Sequence, residues 1–586
     1  MTQTGYIPSG MTSPADACLR MPGSKSHANR ALIAACLAEG TTRIDNATAC
    51  EDVAHMVANV ARLGFDVNWV DRELGRIDVR GGIPETGRAQ PGEVVLECGD
   101  AGTTLRFLAS LACLVPGRWT LTGSPRLRQR PIGPLVEALR GLGADIENDG
   151  DCPPLFIRGG TLRGGSTTLD TRLSSQFLSS LMLIAPATAE GIQVETIGQV
   201  ASSSYLRLTD KVRADFGVTR PGDRYGSPGE YTIEGDWSAY GAFAVWAELS
   251  GSVIAATNLA SDSTQADRGI LEHLEAMRGD GDVTIDCAET PDQLMNLAVR
   301  AAARVGTTHF VGAANLRYKE CDRLAVVTAQ LGRAGVTIEE HDDGITVRGP
   351  AETVEPESEP TRLDPHGDHR MAMAFAVLGT MMARGAGQIE ILDPHCVAKS
   401  YPGFFGDFEA VLATPRCLAL VGMRGAGKST LGRALATELN RPFIDTDDVF
   451  RDAYGDIGDF VAGNGWVEFR RIECDLVGQA LAPGNVVALG GGAVTSAGVR
   501  EHLAEHAFTV WIEADAAELA RRIGGEPADR PALTDHPGGA VGEVASVLEE
   551  RLPLYREVAD TTLLPGSTIV TQVGAVRDAL RDACSW

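Results

Sequence analysis

Residues 422–430, GMRGAGKST, put glycines, a lysine and two hydroxyls between an apolar run at 417–421 and a helix-forming run at 431–439. A G-x-x-x-x-G-K-S stretch in strand–loop–helix context is a phosphate cradle. Backbone N–H groups of Gly425, Ala426 and Gly427 would face phosphate oxygens. Lys428 would reach the β/γ oxygens of ATP, the Ser429 hydroxyl would meet Mg²⁺, and Thr430 adds a second hydroxyl. The chemistry is phosphoryl transfer, and it requires an acceptor. Further along lie Asp445 and Asp447 at the end of a second apolar run, Arg470 in a helical run, Gly490-Gly491-Gly492 after a third, and Arg522, Arg530 and Arg551.

A second group of chemistry-bearing residues occupies the first two-thirds of the chain. Ser24-Lys25-Ser26 with Arg30, Gly102-Thr103-Thr104 with Arg106, and Ser174-Ser175-Gln176 each open an apolar, Ala- and Leu-rich run. So does Asp368-His369-Arg370, while Lys319-Glu320-Cys321-Asp322-Arg323 opens an amphipathic one. Helix N-termini present free N–H groups and the positive end of the helix dipole, and so attract anions. Hydroxyls and guanidinium groups placed there add charge-assisted bonds. N-capping explains Ser, Thr or Asp at any single entry. It does not explain five entries that also bring Lys25, Arg30, Arg106, Arg130 and Arg370. Together they predict one cleft for a multiply charged phosphate or carboxylate ligand. His366 and His369 lack companion ligands and read as anion-binding or structural residues, not as a zinc site.

The elements that must position these residues repeat six times. Residues 30–46, 106–123, 176–196, 239–258, 294–313 and 371–392 each run from a polar entry through an apolar helix and a turn to a β-like stretch. A helix with small and large apolar residues nearly all round is buried. Amphipathic helices at 52–63, 132–142, 268–277 and 322–334 separate the repeats, and strands at 65–70, 144–147 and 336–340 follow three of them. The unit is strand–helix–strand–helix followed by one or two strands. The fourth is the shortest, with only about one strand, 282–287, before the next repeat, as if a hairpin were missing.

At 586 residues the chain needs more than one core. Its formal charge of −26 argues against nucleic acid or an anionic membrane as its partner. The start carries no signal-peptide pattern, and the apolar stretch at 371–382 is too short to cross a bilayer. Twelve cysteines without a C-x-x-C pair read as reduced thiols of a cytoplasmic protein.

The motifs carry two family resemblances. PGSKSHANRAL at 22–32, AGTTLR at 101–106, RPIGPLVEAL at 130–139, SSQF at 174–177, KECDRL at 319–324, DHRMAM at 368–373 and DPHCVAKSYPGFF at 393–405 resemble the 5-enolpyruvylshikimate-3-phosphate synthase family. The likeness runs from about 15 to 413. It implies a two-lobed, inside-out α/β barrel of six repeats, with lobes at about 21–238 and at 239–413 plus the N-terminus, and an active site between them. It implies transfer of enolpyruvyl from phosphoenolpyruvate to the 5-hydroxyl of shikimate 3-phosphate, without a cofactor. Asp292 and Glu320 would be the acid–base carboxylates, with Lys25 bridging both substrates. Shikimate 3-phosphate would meet Lys25, Ser26, Arg30, Ser174, Ser175, Gln176, Ser202, Tyr205, Asp292, Asn315 and Lys319. Phosphoenolpyruvate would meet Lys25, Gly102, Thr103, Arg106, Arg130, Gln176, Arg323, Arg370 and Lys399. Three departures stand out: Asp100 for a usual Asn, Phe107 for a usual Pro, and the short fourth repeat, which leads into Pro291-Asp292-Gln293.

From about 417 to the end, the phosphate loop with Asp445, Asp447, Arg470, the triple glycine, Arg530 and Arg551 resembles shikimate kinase. The likeness implies a P-loop kinase domain over 417–586 with a parallel sheet between helices. ATP would be held by Gly425, Ala426, Gly427, Lys428, Ser429 and Thr430, with Arg522 on the adenine and Arg530 on the transferred phosphate. Mg²⁺ would sit on Ser429 and Asp445. Shikimate would meet Asp447, Arg470, Gly490, Gly491, Gly492 and Arg551, with Lys428 and Asp447 catalytic. The expectation is a bifunctional enzyme of small molecules, a monomer or weak oligomer. Against it stand a nucleotide-sugar enolpyruvyl transferase joined to a different small-molecule kinase, and an active kinase whose synthase domain has lapsed into a binding scaffold.

Overall fold

A helix with alanine and leucine all round has no polar face to offer water, and six such helices form the interior of the larger of two units. The computed structural model describes residues 5–8, 17–84, 93–198, 203–250, 254–351, 359–382, 388–412, 417–439, 441–482, 484–524, 542–564 and 568–583. The larger unit takes in Cys18–Leu249 and Ile254–Phe405, and the smaller takes in Gly406–Trp586. The six buried helices are Lys25–Leu37, Gly102–Leu114, Ser175–Ile184, Trp237–Ser250, Leu294–Ala303 and His369–Met382. Every residue of Gly102–Leu114 is buried.

Each buried helix has its own sheet, and the six sheets are of two kinds. Repeats one, two and five carry four strands: a parallel pair extended by an antiparallel hairpin. The sheets of the other three have two strands, such as Gly165–Asp170 with Ile192–Ile197 and Thr361–Leu363 with Ile389–Ile391. The short fourth repeat is therefore one of three without a hairpin, not a lone loss.

The hairpin repeats share a device that the helical pattern does not reveal. Their last strands end in Arg80-Gly81, Arg158-Gly159 and Arg348-Gly349. A Cβ on any of these glycines would run into the last-turn carbonyls of the repeat's own buried helix: Ala35 and Ala38, Ala112 and Val115, Ala301 and Arg304. Just beyond them, the N–H groups of Gly82, Gly160 and Ala351 donate to the carbonyls of Cys36, Cys113 and Ala302 at 2.8–2.9 Å. Helix C-termini leave carbonyls without intrahelical donors. Buried ones must find donors nearby, and the closely passing strand end supplies them.

The smaller unit is a five-stranded, wholly parallel sheet in the order Phe443–Asp445, Val486–Ala488, Leu418–Val421, Phe508–Ile512, Thr561–Leu563. Its helices pack in two groups, one joining Lys428–Leu439 to Ile569–Ala583 and the other built on Ile457–Ala480 and Ala497–His506. Strands buried on both faces read as continuous apolar runs, as Leu418–Val421 does. Among the described residues no helix is long and apolar enough to cross a membrane.

The glycine device can be tested directly. Gly159→Ala should lower the stability of the larger unit by about 1–3 kcal/mol, the range for overpacking against backbone that cannot yield. Gly226→Ala, at an exposed position of the same unit where an added Cβ meets nothing within 4 Å, should leave it within about 0.5 kcal/mol. Denaturant unfolding of the whole chain reads both.

Candidate active sites

In the larger unit the entries of five of the six buried helices converge on a cleft of about 830 Å³. Lys25 and Ser26 open the first helix, Gly102 and Thr103 the second, and Ser174 and Ser175 the third. The 3-10 turn Pro291–Gln293 brings Asp292 in ahead of the fifth helix, and His369 and Arg370 open the sixth. Gln176, Tyr205, Asn315, Lys319, Glu320, Arg106, Arg130, Arg323 and Asp52 add to the wall, so that six basic side chains face three acidic ones. Ser174 caps its helix, accepting the Gln176 N–H at 3.2 Å. Gly102 is needed for space: a Cβ there would sit 2.7 Å from Arg130 Nη2.

One guanidinium organises the acidic residues. Arg323, almost fully buried, holds Asp292 through Nη1 at 2.7 Å, Glu320 through Nη2 at 3.0 Å, and Asp368 through Nε at 2.7 Å. Arg370 reaches the other oxygen of Asp292 at 3.1 Å, and Lys399 reaches Glu320 at 3.1 Å. Burial by itself would raise both carboxyls. The surrounding cations outweigh it, Arg370, Lys319 and Arg323 at Asp292 and Lys399, Arg323 and Arg130 at Glu320, and hold both well below the usual carboxylate range. Burial and then Arg130 push Arg106 down to about 9, still charged at neutral pH. The Nε atoms of Arg106 and Arg130 are buried without hydrogen-bond partners among the described residues. Unsatisfied donors on cations that line the cleft suit an anionic ligand.

Two predicted ligands stand back from the wall. Arg30 is fully buried, with Nε on Thr209 Oγ1 at 2.8 Å and Nη1 on the Ser26 carbonyl at 2.7 Å. Its guanidinium lies over the rings of Phe107 and Tyr205, so it braces the first and third repeats. The departure at Phe107 gives Arg30 this aromatic face. Lys399 Nζ spends its donors on Glu320 and on the Asp100 carbonyl at 3.0 Å. The Asp100 side chain turns to Ser124 Oγ. Ser202 and Arg530 lie outside the described residues.

Two cleft residues are absent from the ligand sets that the sequence implies, although His369 reads there as anion-binding or structural. Asp52 pairs with Lys25 Nζ at 2.8 Å, and its place in the first turn of an amphipathic helix is indistinguishable from ordinary dipole compensation. His369 has both ring nitrogens buried without hydrogen-bond partners among the described residues. Burial, then Lys25 and Arg370, keep it neutral. Among the described residues no group of three or more His, Cys, Asp or Glu side chains gathers to hold a metal.

In the smaller unit three adjacent parallel strands end at one place. Leu418–Val421 leads into the phosphate loop, Phe443–Asp445 into Asp447, and Val486–Ala488 into the triple glycine. Gly422, Gly425 and Gly427 have φ of 147°, 78° and 97°, a backbone that other residues rarely adopt. Lys428 Nζ folds back on the carbonyls of Gly422 and Met423 at 3.0 Å each. Ser429 Oγ donates to Asp445 Oδ2 at 2.6 Å, and Arg522 Nη1 donates to the Gly425 carbonyl at 3.0 Å.

Beside the loop a pocket of about 720 Å³ is lined by Asp447, Arg470, Glu473, Gly490, Gly491, Gly492 and Arg551, with Trp466 and Phe469 among its apolar wall. Each glycine permits a different close approach. A Cβ would meet Glu473 and Asp447 at position 490, the Arg424 backbone nitrogen at 491, and the Arg470 guanidinium at 492. Arg470 pairs with Glu473 and lies over Trp466 and Phe469 at 5.4 and 5.3 Å. Arg551 Nη1 and the Tyr555 hydroxyl donate to the Gly491 carbonyl at 3.1 and 2.6 Å. Two arginines, the carboxylates of Asp447 and Glu473, and backbone thus line a space beside the glycine loop.

Comparison with known proteins identifies both units. Residues 11–408 match the family model of EPSP synthase (3-phosphoshikimate 1-carboxyvinyltransferase), and residues 424–574 match that of shikimate kinase. The 3-phosphoshikimate 1-carboxyvinyltransferase of Methanoculleus marisnigri is 38% identical over 423 residues, covering 67% of this chain and 96% of the relative. The pentafunctional AROM polypeptide of Eremothecium gossypii is 33% identical over 563 residues, covering 83% of this chain and 35% of that much longer one. In fold, the larger unit matches an EPSP synthase structure from Acinetobacter baumannii (TM-score 0.56, 23% identity, 70% of this chain and 97% of that one).

The depressed carboxyls set a pH dependence. Ionised Asp292 and Glu320 stabilise the fold fully above their unfolded pKa values, about 4, and the contribution is lost as pH falls through the lower folded values. Stability of the larger unit should drop on acidification through that window. The double variant Asp292→Asn, Glu320→Gln should be less stable at pH 7, with stranded buried cations, and should have a shallower acid slope. Thermal midpoints from pH 3 to 7 measure it.

Proposed function

The chain belongs to the EPSP synthase family and carries a shikimate kinase domain behind it, and from this we propose that it performs two consecutive reactions. Its smaller unit phosphorylates shikimate with ATP. Its larger unit transfers enolpyruvyl from phosphoenolpyruvate to the resulting shikimate 3-phosphate and releases phosphate. One observation carries the reading: the cleft joins a shell of helix N-termini and unsatisfied arginine donors to two buried, ionised carboxylates. Such a site suits two anions that react with each other through proton transfers.

In the larger unit Ser26, Ser174, Ser175, Gln176, Tyr205, Asn315 and Lys319 hold shikimate 3-phosphate. Arg106, Arg130, Arg323 and Arg370 hold phosphoenolpyruvate, and Lys25 bridges the two. Asp292, kept ionised by Arg370, Lys319 and Arg323, takes the proton of the attacking 5-hydroxyl. Glu320, between Lys399 and Arg323, takes up a proton as the substrates bind and gives it to the methylene carbon while the 5-oxygen bonds to the neighbouring carbon. It takes one back from the resulting methyl group as phosphate leaves with the proton held by Asp292. As carbon–oxygen bonds form and break, the guanidinium groups stabilise charge on the carboxylate and the departing phosphate. Nothing in this cleft favours a non-catalytic scaffold, because Lys25, Asp292 and Glu320 all face the same space.

In the smaller unit Lys428 leaves the loop carbonyls for the β/γ-phosphates. Asp447 orients or deprotonates the acceptor hydroxyl, and Arg470, Arg551 and the glycines at 490–492 hold the acid. Ser429 and Asp445 offer only hard oxygen donors, which fits Mg²⁺. Bound with ATP, that ion neutralises charge on the phosphates. Arg522, against the loop, is placed to cover the base, and the reading includes Arg530 on the transferred phosphate and Ser202 on shikimate 3-phosphate.

The two activities are separable. With shikimate, ATP–Mg²⁺ and phosphoenolpyruvate the intact chain should yield both products. Lys428→Ala should abolish phosphorylation while added shikimate 3-phosphate is still converted. Lys25→Ala and Glu320→Gln should cut enolpyruvyl transfer by about 10²- to 10⁴-fold with phosphorylation unchanged. Product analysis decides it, and transfer that survives both substitutions would overturn the assignment of the cleft.

A further inference from the structure

Arg126 does not line the cleft, yet it reaches across it. It precedes the 3-10 helix Leu127–Gln129 of the second repeat. Its Nε donates to the carbonyls of Lys319 and Glu320 at 3.2 and 3.1 Å. Its Nη2 donates to Lys319 again at 3.0 Å and to Arg317 at 3.4 Å. These acceptors lie at and just past the end of the 3-10 helix Ala314–Tyr318, where intrahelical donors have run out. A planar guanidinium can serve three carbonyls in one orientation, which an ammonium cannot match. The turn it grips contains Glu320.

The Glu320 carboxylate is gripped from the other end. Lys399 joins it to the Asp100 carbonyl, which belongs to the second repeat, as Arg126 does. Residue 320 is therefore tied to the first half of the unit at its main chain by Arg126 and at its side chain through Lys399. Closure itself has another support. Ser203 Oγ and the Ser204 N–H, of the third repeat, donate to Glu289 at 2.8 and 2.7 Å. Losing Arg126 would leave that contact intact and free one turn.

We propose that Arg126 is a positioning residue, which sets the Glu320 carboxylate for proton transfer by clamping its peptide to the opposite half of the cleft. The inference rests on the reading of Glu320 as an acid–base group. It explains why a residue without substrate contact should govern turnover: an acid–base group misplaced by about 1 Å can lose about 10²-fold in rate.

The test is a double-mutant cycle in the full chain, with the kinase reaction as an internal measure of intact protein. Arg126→Ala should lower kcat for enolpyruvyl transfer about 10- to 100-fold, the usual range for lost hydrogen bonds to a charged group, with KM for both substrates changed less than about threefold. Arg126→Lys should fall between it and wild type. In the Glu320→Gln background, Arg126→Ala should cost less than about threefold, because the group it positions is gone. A full, additive loss in that background, or a rise in KM with kcat preserved, would overturn the inference. If Glu320→Gln itself leaves transfer intact, the reading of the cleft fails instead.

Discussion

Arg323 is the interaction on which the larger unit's cleft depends. A guanidinium almost wholly removed from water is tolerable only if it is paired and hydrogen-bonded, and Arg323 is bonded to Asp292, Glu320 and Asp368. The pairing works in both directions. It makes a buried cation affordable, and it helps keep two buried carboxylates ionised that burial would otherwise neutralise. Asp368, fully buried, also accepts the Arg370 N–H at 2.9 Å, so the entry of the sixth helix is built onto the same cluster.

The local charge matters because the whole molecule opposes it. A chain with formal charge −26 must concentrate positive potential wherever it binds anions, and the two units do so differently. In the larger, cations stand on the N-termini of helices buried too deeply for their dipoles to be screened by solvent. In the smaller, a glycine loop at positive φ exposes its own backbone N–H groups, and one lysine supplies the charge. Both use glycine for proximity: Gly102 beneath Arg130, and Gly490–Gly492 beneath Asp447, Arg424 and Arg470.

Periodicity and composition made the six buried helices legible, because an all-apolar helix can have only one location. The same reading misjudged the fourth repeat as singular. Hairpin strands are short and half-exposed, and their presence is marked less by apolar alternation than by the Arg-Gly exits that close on a helix end. Side-chain direction was equally hidden. Arg30 falls in a motif full of ligands, but one turn along its helix it points inward to Thr209, Phe107 and Tyr205. Asp52 looks like any acidic residue in a first helical turn until Lys25 is seen beside it.

By itself, then, the sequence determined which segments are buried, which loops could hold phosphate, and which two chemistries the chain combines. Those properties are local: residue type, spacing and turn geometry suffice for them. Only the tertiary structure decided which of the assembled groups face the cleft, which brace it from behind, and what protonation state the carboxylates hold. Each depends on contacts between residues far apart in the chain, such as Arg323 with Asp292 and Asp368, Lys399 with Asp100, and Arg126 with Glu320. No local pattern encodes such distances, because they arise only when separately buried helices are packed together.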